Sequence, residues 1–143
     1  MKSIGKTVLI VDDEPDVLTY LTAVLENADY IVHGADSAAV GLESCRKVRP
    51  DLVCLDIMMP GSSGMSLYAA LRADAVTKDI PVLIISGAAQ AGEFDFRSYV
   101  PDRSIPPPDG YLEKPIQIEG FLGVVGRLIE SQRRRSAKSD SHA

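Results

Sequence analysis

Cysteine is scarce in this sequence. Of 143 residues only Cys45 and Cys54 carry a thiol, nine positions apart and outside any C-x-x-C pattern. That excludes a disulfide framework and a zinc site built on thiolates; Cys54, inside an apolar run, reads as a small buried hydrophobe. Positive charge is not in excess either. A net charge of −5 and a pI near 4.9 argue against binding nucleic acid through bulk electrostatics and leave a protein partner open. No apolar stretch approaches the roughly 18 residues of a membrane span. The polar start, Met1 to Lys6, runs directly into a strand with no secretory h-region. A reducing, cytoplasmic setting is expected. Histidine is limited to His33, in a strand, and His142, in the tail, neither with a catalytic partner nearby in sequence.

What the chain does have is core material. A hydrophobic fraction of 45% in this length supports one well-packed domain and excludes wholesale disorder. Short apolar runs alternate with amphipathic segments of helical length. The expected strands are Thr7 to Val11, Tyr30 to His33, Asp51 to Leu55, Ile80 to Ile85 and Gly110 to Glu113. The expected helices begin at Pro15, at Ser37 (capped by Asp36 or Ser37, ending at Val48) and at Met65, with a closing helix from Ile118 to Ser131. Strands that alternate with helices imply right-handed βαβ units. The expected fold is therefore α/β: a doubly wound five-stranded parallel sheet in the order 2-1-3-4-5, with helices on both faces. Gly92 to Asp109 departs from this regularity. It holds Phe94, Phe96 and Tyr99, then Pro101 and the run Pro106-Pro107-Pro108, so a shortened, atypical fourth helix followed by an extended segment is expected. Residues 133–143 are polar, basic and then serine-rich, and read as a disordered tail, with Arg133 to Arg135 a solvated helix end.

In such a sheet the carboxyl ends of the strands share one rim, where ligands bind. That rim collects Asp12 and Asp13, Asp56, Ser86 and Lys114, each close behind an apolar strand. Three crowded carboxylates need compensating charge. A hard divalent cation with oxygen ligands supplies it, and Mg²⁺ suits a site with few carboxylates and a substrate phosphate. Lys114 offers a compact positive charge and Ser86 a hydroxyl donor. A carboxylate can attack phosphorus to give an acyl phosphate, a reaction governed by positioning and charge neutralisation.

The segments VDDEP (11–15), DLVCLDIMMPGSSG (51–64), SG (86–87) and YLEKP (111–115) resemble the receiver domain of bacterial two-component response regulators, over roughly residues 6 to 132. The resemblance implies that Asp56 is the phosphorylation site. It implies Mg²⁺ binding by Asp13 and Asp56, by Asp12 through water, and by the backbone carbonyl of Met58. Ser86 would sense the phosphate, Lys114 would pair with it, Pro115 would set the loop, often through a cis peptide bond, and Tyr111 would be the aromatic that turns inward on switching. The implied partners are a sensor histidine kinase or histidine phosphotransfer protein and a downstream protein reached by direct contact, with homodimerisation a further option. No DNA-binding output domain is expected after residue 132. The interval of 28 residues between Ser86 and Lys114 is longer than receivers usually have.

Other readings stay open on the residues alone. Asp12 and Asp13 could cap the helix at Pro15, Ser86-Gly87 could be a turn, and Tyr111 could simply pack. The protein could be a phosphate shuttle or sink in a multistep relay, a binding module that is not phosphorylated, or part of a larger regulator. A dedicated aspartyl phosphatase is not expected, since Met58 stands where such enzymes carry a second aspartate. Slow loss of phosphate from Asp56 is expected instead.

Overall fold

A computed structural model describes residues 5–59, 62–86 and 100–141. Five strands form one parallel sheet: β1 (Thr7–Val11), β2 (Ile31–Ala35), β3 (Leu52–Asp56), β4 (Val82–Ser86) and β5 (Gly110–Glu113), in the order β2-β1-β3-β4-β5. The register pairs Val8 with Leu52, Val53 with Val82 and Ile84 with Tyr111. Among the described residues four helices cover it: α1 (Pro15–Asn27), α2 (Ala38–Val48), α3 (Gly64–Ala73) and α4 (Ile118–Ser141).

Apart from Thr7 at the start of β1 and Asp56 and Ser86 at the rim ends of β3 and β4, the central strands are apolar because alternate side chains enter different cores. Leu9, Val11, Val53, Leu55, Val82 and Ile84 face α2 and α3, where Cys45, Leu67, Tyr68 and Leu71 meet them. Val8, Ile10, Leu52, Cys54, Leu83 and Ile85 face α1 and α4, against Leu21, Leu25, Phe121, Val125 and Leu128. β3 lies between the two cores and is buried along its whole length. Its last residue therefore arrives at the rim held on both sides.

Element ends shift by a residue or two from the sequence expectation, for identifiable reasons. Asp51 does not open β3; its carboxylate accepts a hydrogen bond from the Thr7 N–H at 2.8 Å. Pro81, which has no N–H to give a ladder, precedes β4 rather than joining it. β2 runs on to Ala35, whose carbonyl accepts the Asp12 N–H at 3.0 Å. Ser37 caps α2, its hydroxyl accepting the Val40 N–H at 3.3 Å. The larger correction concerns α4. The apolar stripe ends at Ile129, yet the backbone is helical to Ser141, through residues read above as a disordered tail. Residues 132–141 contain neither Gly nor Pro and include Gln, Arg, Ala and Lys, so nothing stops propagation once packing has fixed the first turns.

Of the stretch from Gly92 to Asp109, residues 92–99, including Phe94, Phe96 and Tyr99, lie outside the described residues. Residues 100–109 are extended around a turn at 103–105 and are tied down firmly. Val100 is buried and Ile105 packs beside it against the α2–α3 core. The Tyr68 hydroxyl donates to the Pro106 carbonyl at 2.6 Å and accepts from Arg72 Nε at 3.0 Å. The Arg72 guanidinium also donates to the Ile80 carbonyl at 2.7 Å and to Asp109 Oδ2 at 2.9 Å, and that same oxygen accepts the Val82 N–H at 2.9 Å. This clasp sits where β4 and β5 begin, at the opposite end from the rim. Among the described residues, no helix is long and apolar enough to cross a membrane.

Candidate functional site

Each rim residue is placed by the strand that precedes it. Asp12 follows β1 and is buried; its Oδ1 accepts the Glu14 N–H at 2.9 Å just where α1 starts. This bond braces the turn that leads into α1 and does not cap the helix, whose N-cap is Glu14 with no side-chain hydrogen bond, and it uses one carboxylate oxygen. Asp56 is the last residue of β3 and is also buried. Asp13 is half-buried beside them. One carboxylate oxygen from each of Asp12, Asp13 and Asp56 can be chosen so that all lie within 4.8 Å of one another.

Lys114 follows β5 and reaches this cluster from the side. Its Nζ lies 3.2 Å from Glu14 Oε1, 3.7 Å from Asp12 Oδ2 and 3.9 Å from Asp56 Oδ2. Ser86, the buried last residue of β4, accepts the Lys114 N–H through its backbone carbonyl at 2.7 Å. The Lys114–Pro115 peptide bond is cis. Met58 belongs to a two-residue ladder just past Asp56, in which Met58–Met59 pairs antiparallel with Ser62–Ser63. Tyr111, the second residue of β5, is 46% exposed and points outward in this structure.

Charge and burial pull against each other here. Burial, followed by the nearby Glu14 and Asp13 charges, raises the Asp12 carboxyl above its ordinary 3.8, although the Glu14 N–H and Lys114 work the other way. For Lys114, burial alone would lower the ammonium. The charges of Asp56 and Asp12 and the hydrogen bond and charge of Glu14 outweigh it, and its pKa stands above 10.5. The donor set is all oxygen, with more negative charge than one lysine neutralises. That fits a hard divalent cation such as Mg²⁺, which Asp12, Asp13 and Asp56 could hold between them.

Two residues that the sequence reading left without a role belong to this site. Glu14 was visible only as one more acid in VDDEP, and its contact with Lys114 spans 100 positions. In the sequence Gly64 is only the last residue of DLVCLDIMMPGSSG. A Cβ there would run into the Asp56 carbonyl oxygen and lie 2.7 Å from the Ile57 Cα.

Comparison with known proteins follows the same lines. The family described as response regulator receiver domain matches residues 8–125. Protein PilH of Pseudomonas aeruginosa is 33% identical over 122 residues, covering 85% of this chain and 96% of PilH. The phosphate regulon transcriptional regulatory protein PhoB of the same organism is 33% identical over 140 residues, covering 98% of this chain and 57% of PhoB. The chain thus spans nearly all of one relative and little more than half of another. Among solved structures, a sensor protein from Polaromonas sp. JS666 superposes with a TM-score of 0.79 at 29% identity, covering 90% of this chain and 98% of that one.

Proposed function

Because this chain belongs to the response regulator receiver domain family, we propose that Asp56 is its phospho-acceptor. The phosphoryl group comes from a histidine kinase or a histidine phosphotransfer protein, and the result is passed on by protein–protein contact. The protein is then a switch rather than a dedicated enzyme. The observation that carries this reading is the meeting of Asp12, Asp13 and Asp56 within 4.8 Å, with the Lys114 ammonium 3.9 Å from Asp56.

The chemistry assigns a task to each side chain. An Asp56 oxygen attacks phosphorus, the P–N bond to the donor imidazole breaks, and the imidazole leaves with a proton from solvent. Asp12, Asp13, Asp56 and the Met58 carbonyl would hold Mg²⁺, which supplies positive charge for the phosphoryl oxygens. Lys114 pairs with one of those oxygens, and Ser86 donates its hydroxyl to another. The burial of Asp56 orients the nucleophile without a rotamer search. Pro115 keeps the lysine loop in place behind β5, and Tyr111 serves the sheet surface in this state.

Acetyl phosphate with Mg²⁺ should add one phosphoryl group, read by intact mass, and Asp56→Asn should abolish it. Equal labelling of the variant would reject the assignment.

A further inference from the structure

Lys114 faces three carboxylates, and the nearest is not one of the proposed metal ligands. Its Nζ is 3.2 Å from Glu14 Oε1, against 3.7 Å for Asp12 and 3.9 Å for Asp56. The Lys114 ammonium donates a hydrogen bond to Glu14 Oε1. The two sides differ in setting as well. The Asp12 and Asp56 side chains are 2% and 4% exposed, whereas that of Glu14 is 60% exposed, so the lysine is drawn toward the solvent side of the rim.

We propose that Glu14 is a positioning residue that holds the Lys114 ammonium in the resting protein and competes with the phosphoryl group for it. This deepens the reading of Asp56 as phospho-acceptor and rests on it. An ammonium drawn from the solvent side of the rim toward an oxygen on a phosphorylated Asp56 moves away from Glu14 and weakens the hydrogen bond that holds it there. The bond therefore favours the unmodified protein by the worth of one exposed ion pair. Glu14 also adds negative charge beside the incoming anion, in the same direction. Through Lys114 it sets how readily the acceptor is loaded, although it touches neither the acceptor nor the metal ligands through its side chain.

The test uses the full chain and beryllofluoride, a mimic of the aspartyl phosphate, titrated at saturating Mg²⁺ and low ionic strength, where exposed pairs are least screened. Glu14→Gln keeps the length and removes the charge, and an exposed side chain at a helix start puts folding at little risk. The variant should bind beryllofluoride about two- to fivefold more tightly, the usual range for an exposed pair. In the Mg-free, unmodified protein the Lys114 ¹⁵Nζ resonance should also move. Equal affinities overturn the proposal. So does a gain in affinity with an unmoved Lys114 resonance, which would assign the effect to bulk repulsion alone. A wild-type protein that binds neither Mg²⁺ nor beryllofluoride would instead overturn the phospho-acceptor reading beneath it.

Discussion

Gly64 lies against the backbone of Asp56 so closely that no side chain fits between them: a Cβ at 64 would meet the Asp56 carbonyl oxygen and approach the Ile57 Cα to 2.7 Å. The Gly64 N–H donates to the Ile57 carbonyl at 3.0 Å, closing the loop that leaves β3. The start of α3 is thus pressed onto the strand end that carries the central carboxylate. Gly64→Ala must push one of the two aside. We expect a loss of about 1–3 kcal/mol of stability, the range for overpacking. Weaker Mg²⁺ binding should accompany it, since Asp56 moves with its backbone. Urea denaturation and Mg²⁺ titration by calorimetry read the two effects. Wild-type values for both would show that the contact is relaxed without consequence.

Asp12 gives a prediction with a definite sign. Its pKa is raised in the folded protein, chiefly by burial, so folding favours the protonated form. That contribution is present below the unfolded value of 3.8 and is lost as pH rises through the folded value. At neutral pH the metal-free protein therefore carries a penalty for a buried charge. Asp12→Asn removes the charge and keeps an oxygen for the Glu14 N–H. The metal-free variant should be more stable than wild type at pH 7, with the gain shrinking to nothing in acid below 3.8. Saturating Mg²⁺ should reverse the order, because ligand binding stabilises whichever protein binds it better. Thermal unfolding with and without Mg²⁺ across pH decides it; a variant less stable in every condition contradicts it.

Arg72 offers a test remote from the rim. Its side chain is 6% exposed and its ion pair with Asp109 spans 2.9 Å. Removing one partner of such a pair strands the other charge, so Arg72→Met should lose about 3–5 kcal/mol. Asp109→Asn in the same chain should recover part of that loss. The folded variant should keep wild-type Mg²⁺ affinity, because the clasp lies at the far end of the strands. Denaturant midpoints that are unchanged by Arg72→Met would show the clasp to be energetically silent.

Both thiols should be inert in the native protein. Burial pushes Cys45 up to about 11 and Cys54 up to about 12. At pH 8 this leaves about one Cys45 in a thousand as the reactive thiolate, and fewer at Cys54. A disulfide-exchange reagent should label neither until denaturant is added, and both afterwards. Rapid native labelling at either position would contradict the packing described for β3 and α2.

How much of this was readable in advance depended on locality. The strands of the sheet, their order and the rim residues Asp12, Asp13, Asp56, Ser86 and Lys114 were legible because each apolar run ends abruptly at polar residues. The sheet topology then does the rest of the assembly. The clasp of Tyr68, Arg72, Pro106 and Asp109 was not, since its members are spread over 41 positions with no periodicity and only the folded chain brings them together. The length of α4 was not legible because an apolar stripe marks where a helix is packed, not where its backbone stops. Nothing in the sequence sets Gly64 apart, and only the approach of another backbone reveals why a side chain is forbidden there.

The hydrogen bond from the Lys114 N–H to the Ser86 carbonyl, at 2.7 Å, couples two side chains that would otherwise move separately. Hydroxyl and ammonium ride on neighbouring strand ends joined main chain to main chain. Neither strand tip can shift alone without stretching that bond, so the hydroxyl and the ammonium are tied to each other through the main chain like the two sides of a single jaw.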